Sequence, residues 1–92
     1  MLISFGIEEA NIKVCAITGL VVDIHGTGEE STSDDGKIKV IALRADMDAL
    51  PIPENNPTLS YKSITDAAHM CGHDGHMATL MATTQVLSQK RQ

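Results

Sequence analysis

The side chains best suited to chemistry are concentrated in one run, His69-Met70-Cys71-Gly72-His73-Asp74-Gly75-His76. Three of the four histidines, one of the two cysteines and an aspartate fall within it. Imidazole nitrogen and thiolate sulfur are the usual ligands of zinc and other borderline divalent metals. Cys71 and His73, separated only by Gly72, can turn toward a common point if the backbone is extended or tightly bent there. Asp74 stands where a carboxylate can cap a helix or orient an imidazole, and His76 falls in the first turn of that helix. The paired-ligand spacings of a closed structural zinc site are absent, and four ligands from so short a run would crowd one tetrahedral centre. The pattern fits part of an open metal site whose other ligands come from elsewhere. The competing reading is a solvated, histidine-rich loop.

A second constellation is Arg44-Ala45-Asp46-Met47-Asp48. Asp46 and Asp48 would share one face if an extended strand continued through them. One of them could orient a metal-bound histidine by accepting its hydrogen bond. A solvated strand end carries such aspartates equally well.

The elements that must position these groups give an α/β pattern. Residues 19–25, GLVVDIH, are rich in β-branched bulk and read as a strand. Residues 26–36 are Gly, Ser, Thr and acid and read as a surface loop. Residues 37–45, KIKVIALRA, begin in alternation and become continuously apolar, as a strand entering a buried sheet does. The connection suits a long hairpin, which makes these two strands antiparallel neighbours. Pro51, Pro53 and Pro57 then exclude regular structure and mark a long loop. Met77, Leu80, Met81, Thr84 and Leu87 recur on one face of a helix predicted over residues 75–90, with Lys90 and Arg91 complementing its dipole.

Composition narrows the partners. The 92 residues carry 7 Lys and Arg against 12 Asp and Glu, a net charge of −5. No basic patch is available to neutralise phosphates, which argues against nucleic acid and against an anionic membrane surface. No apolar run approaches the length of a spanning helix. The amino-terminal residues lack the basic start and longer apolar stretch of a secretory leader, so a cytoplasmic location is expected. Thiols should be reduced there, with Cys15 a small buried residue. Phe5 and Tyr61 are the only aromatics, so the chain has little with which to build a core.

The two constellations together resemble a known family. IALRADMDALPI (residues 41–52), followed by AHMCGHDGHMA (residues 68–78), is similar to the metal-dependent amidohydrolases of the aminoacylase, hippurate hydrolase and auxin-conjugate hydrolase group. TGLVVDI (residues 18–24) also fits that family's early strand. One departure is the order Ala68-His69-Met70-Cys71, where relatives more often carry Met-His-Ala-Cys.

The resemblance implies a partial zinc-peptidase-like catalytic domain, with a two-metal centre that cleaves the amide of small N-acyl amino acids. It implies that Cys71 and His73 are metal ligands, that Asp46 and Asp48 lie behind the ligands, and that Asp74 and His76 frame the centre. Zinc or manganese is expected. A metal-activated water would attack the amide carbonyl, with a glutamate as general base and then acid. That glutamate is expected beyond Gln92. Glu29 and Glu30 form a Glu-Glu pair, but in a polar loop with nothing to place them in that role. The resemblance thus makes residues 1–92 an incomplete amino-terminal segment of the catalytic domain, without the dimerisation domain through which a full-length protein would form a homodimer. Alone, the segment is expected to be inactive. The alternative is a non-catalytic metal-binding or interaction module derived from such an enzyme.

Overall fold

The structure, a computed structural model, describes residues 1–28 and 35–91. In chain order its elements are two single-turn 3-10 helices at Ile3–Phe5 and Glu9–Asn11, strands β1 (Ile12–Cys15) and β2 (Gly19–Val22), and helix α1 (His73–Gln89). The chain divides into two compact units, one of Met1–Arg44 with Leu80–Gln92, the other of Ala45–Thr79. Among the described residues a two-stranded antiparallel sheet and one long helix are compatible with a partial α/β domain.

The first unit is built on a hairpin. Ile12-Lys13-Val14-Cys15 alternates apolar and polar at its start and pairs antiparallel with β2, in the register Ile12↔Val22 to Cys15↔Gly19. Residues 16–18 turn the chain. The Thr18 N–H donates to the Ala16 carbonyl at 2.8 Å, closing a γ-turn around Ile17 at φ 71°. Positive φ crowds the Cβ of any L-residue, and a β-branched one most. Gly19 follows because a Cβ there would lie 2.8 Å from the Cys15 carbonyl oxygen. Beyond the register, the Asp23 N–H donates to the Asn11 carbonyl at 3.0 Å. Lys13 sits opposite Val21, diagonal to Asp23 on the same face, and its Nζ reaches Asp23 Oδ2 at 2.9 Å. Hydrogen bonding and charge from Lys13 hold the Asp23 carboxyl below its ordinary value.

Three expectations about the strands are corrected. The strand expected over residues 19–25 stops at Val22. Its neighbour is β1, not residues 37–45, because a short turn closes with less loss of chain entropy than the longer 26–36 connection. Residues 37–45 form no strand among the described residues. Ile38, Val40, Ile41 and Leu43 are 75%, 81%, 87% and 53% exposed. Without a second layer to lie on, they gain no burial to offset the entropy of fixing a strand. The surface loop expected over residues 26–36, with Glu29 and Glu30, falls partly outside the described residues.

Apolar burial is correspondingly small. Among the described residues, Ile7 and Ala68 are the buried apolar ones. Cys15, expected to be buried, is exposed and a free thiol, as most of β1 is exposed. Polar contacts do much of the joining in the first unit. Ser88, buried in the last turn of α1, has its hydroxyl 2.8 Å from the Phe5 carbonyl and 2.9 Å from that of Gln85. Arg91 donates from Nε to the Ser88 carbonyl and from Nη2 to that of Gly6, and Thr27 donates its N–H to the Arg91 carbonyl at 2.7 Å. Arg91 thereby satisfies a carbonyl that the helix end leaves without an intrahelical donor.

Helix α1 begins two residues before the predicted start. Gly72 adopts φ 85°, and its carbonyl accepts the His76 N–H at 3.1 Å, so the first helical residue is His73. The covered stripe runs through His73, Met77, Leu80, Met81, Thr84 and Ser88. Leu87, expected on that face, is 45% exposed, and Ser88 takes its place because the hydroxyl meets the Phe5 carbonyl. No helix among the described residues is long and apolar enough to cross a membrane.

Three measurements check these assignments. Ile17→Gly removes the positive-φ penalty and should stabilise the hairpin by about 1 kcal/mol, read as about fivefold slower amide exchange in β1 and β2. Gly72→Ala, with open space around its new Cβ, should destabilise by about 1 kcal/mol through φ alone, and Gly72→Asn by less; denaturant midpoints give both. Because the Asp23 carboxyl is depressed on folding, its contribution is present above the ordinary carboxylate range and is lost as pH falls through the lowered value. Lys13→Met should raise the Asp23 midpoint in an NMR titration.

Candidate metal centre

The site lies in the unit Ala45–Thr79 and begins with a pair of backbone hydrogen bonds. The Leu50 N–H donates to the Ala68 carbonyl and the Ala68 N–H to that of Leu50, both at 3.0 Å, forming an isolated antiparallel bridge. Ala68 is buried at this crossing. The bridge pins Asp48, two residues upstream of Leu50, beside the run that begins at His69. Gly72 then turns the chain through φ 85° into α1. His73 consequently meets Asp48, with Nδ1 2.9 Å from Oδ1.

The intervening residues 51–67 are organised by side chains. Asn56 Oδ1 accepts the Thr58 N–H at 3.3 Å, a local turn. Glu54 Oε2 accepts the Ser63 N–H at 2.7 Å across the loop. The Ser63 hydroxyl donates to the Ala67 carbonyl at 2.6 Å, and the Thr65 hydroxyl lies 3.1 Å from it. Glu54 and Ser63 are half-buried in a stretch whose other residues are mostly exposed.

His73 is the covered member of the site. Its side chain is 23% exposed, against 68% for Asp48. Nδ1 is shut off from solvent and makes no aligned hydrogen bond, although the 2.9 Å separation from Asp48 is that of one. Distance and alignment thus disagree: the two atoms stand within hydrogen-bond reach without the alignment of a hydrogen bond. An imidazole with Nδ1–H facing a carboxylate keeps the Nε2 lone pair for a metal. The His76 ring lies 6.0 Å from that of His73, centre to centre, inclined at 31°.

Of the residues singled out from sequence, the structure brings Asp48 to His73 and sets His76 near the same ring. Cys71 is an exposed free thiol. Asp46, Asp74 and His76 are exposed, with Asp74 in the first turn of α1, where a carboxylate complements the helix dipole. Among the described residues no three His, Cys, Asp or Glu side chains converge as a metal site requires. A thiol and an imidazole two residues apart, with a carboxylate behind the imidazole and Nδ1 unsatisfied beside it, fit a divalent cation as part of a ligand set. Glu54 and Ser63 were not legible as site-building residues: an acid in a proline-rich loop and a serine farther along carry no periodicity that would pair them.

Residues 42–92, more than half of the chain, match Peptidase family M20/M25/M40. The chain is 36% identical over 89 residues to an N-acetylcysteine deacetylase of Bacillus subtilis (strain 168), covering 92% of this chain and 21% of that protein. It is 49% identical over 53 residues to an N-acyl-L-amino acid amidohydrolase of Geobacillus stearothermophilus, covering 58% and 14%. With IAA-amino acid hydrolase ILR1-like 2 of Arabidopsis thaliana it shares 42% over 76 residues, covering 83% and 15%. The chain therefore spans about a fifth or less of the length of these relatives, and no solved structure matches it. Asp46, Asp48 and the whole histidine run fall inside the family match, and the chain belongs to Peptidase family M20/M25/M40.

Proposed function

We propose that this chain is the ligand-bearing early segment of a divalent-metal amidohydrolase with a zinc-peptidase-like catalytic domain, one that hydrolyses the amide of N-acyl amino acids. The relatives' names supply the substrate class: an N-acetylcysteine, an N-acyl-L-amino acid, an IAA-amino acid. The observation that carries the reading is the approach of Asp48 to His73 at 2.9 Å, which sets a carboxylate behind an imidazole that stands two residues from a thiol in the sequence.

In this reading Cys71 and His73 are ligands. Asp48 takes the Nδ1 proton side of His73 and so directs Nε2 outward. Asp46 continues the carboxylate run, and Asp74 and His76 frame the helix entrance. Thiolate and imidazole together suit zinc, and manganese enters only through the family resemblance. A cation held there supplies an acidified water and a Lewis acid toward the amide carbonyl. The remaining ligands and the general base are expected outside these 92 residues, as the family resemblance implies.

The test uses the whole polypeptide that carries these residues, assayed on N-acetyl amino acids with added zinc or manganese. Cys71→Ala and His73→Ala should each abolish turnover, and Asp48→Asn should reduce metal affinity about 10- to 100-fold. Hydrolysis that survives both alanine variants would remove Cys71 and His73 from the metal site.

A further inference from the structure

The Asp48–His73 contact depends on the Leu50–Ala68 bridge, and that bridge stands alone, with no ladder on either side. An isolated pair of backbone hydrogen bonds closing a long connection is opposed by the entropy of the loop it closes. Something must shorten that loop. Glu54 and Ser63 do so: the carboxylate accepts the Ser63 N–H at 2.7 Å, a charge-assisted bond of the stronger class. The Ser63 hydroxyl passes the constraint on, donating to the Ala67 carbonyl at 2.6 Å, one residue before the bridged Ala68. Glu54 is thus tied, through Ser63 and Ala67, to the bridged segment that leads to His73.

We propose that Glu54 is a positioning residue for the metal site: its carboxylate, clipped to the Ser63 N–H, holds the Leu50–Ala68 bridge closed and so keeps His73 against Asp48. The proposal rests on the reading of Cys71 and His73 as ligands, and it assigns Glu54 no contact with metal or substrate. The helix end, Gly72 and the bridge fix the direction of the histidine run. Glu54 fixes its distance from Asp48.

The experiment compares wild type, Glu54→Ala and Glu54→Gln in the whole polypeptide that carries these residues, with cobalt(II) as the probe metal. Two readouts are taken: amide exchange at Leu50 and Ala68 without metal, and cobalt affinity with the thiolate-to-cobalt absorption that reports Cys71. Glu54→Ala should speed exchange at both amides and weaken cobalt binding about tenfold. Glu54→Gln keeps an oxygen that can accept the Ser63 N–H, so it should recover most of both. A general loss of stability would instead lower the denaturant midpoint and speed exchange in β1 and β2 as well, and that result overturns the positioning role. So does a Glu54→Ala protein with unchanged exchange at Leu50 and Ala68. If wild type shows no thiolate-to-cobalt band, the ligand reading fails on its own, while the exchange data still decide whether Glu54 holds the bridge.

Discussion

Two hydrogen bonds between Leu50 and Ala68 bring the Asp48 segment and the histidine run together. Asp48 and His73 are far apart in sequence, and neither belongs to a sheet that would align them. Their 2.9 Å approach follows from one backbone crossing, at the buried Ala68, and from a left-handed turn at Gly72. The side chains that shape the connection, Glu54, Ser63 and Thr65, serve that crossing. The approach of Asp48 to His73 is therefore set by loop closure rather than by a rigid layer, an arrangement whose precision depends on each clip.

The rest of the chain explains why so much rests on polar contacts. Ile38, Val40, Ile41 and Leu43 carry the apolar character of a sheet strand, yet they stand exposed. Burial against a second layer normally supplies most of the stabilisation of such a strand. In its absence the first unit is joined by Ser88, Arg91 and Thr27 to backbone carbonyls, and the hairpin by its ladder and the Lys13–Asp23 pair. Exposed ion pairs of this kind contribute little. The strain at Ile17 persists because the turn is set by the register of β1 on β2 and by the close approach of Gly19 to Cys15.

Family membership and site geometry answer different questions. The match over residues 42–92 says what kind of protein this sequence belongs to. The structure adds which carboxylate of the Asp46 and Asp48 pair faces the imidazole. Spacing alone left both available, since alternate strand positions share a face. Asp48 is selected because it lies two residues before the bridge.

The sequence by itself determined the helix, through the apolar period from Met77 to Thr84, and the concentration of metal-ligand chemistry around Cys71 and His73. Both are local properties: a helix closes its own hydrogen bonds, and ligand types are read from residue identity. Tertiary structure decided which segment pairs with β2, that residues 37–45 remain without a strand, that Ser88 and not Leu87 is covered, and that Glu54 reaches Ser63. Each of these depends on what lies across from a residue. A sheet strand needs a neighbour and a layer to bury against, and a loop contact needs a chain path that no local period encodes.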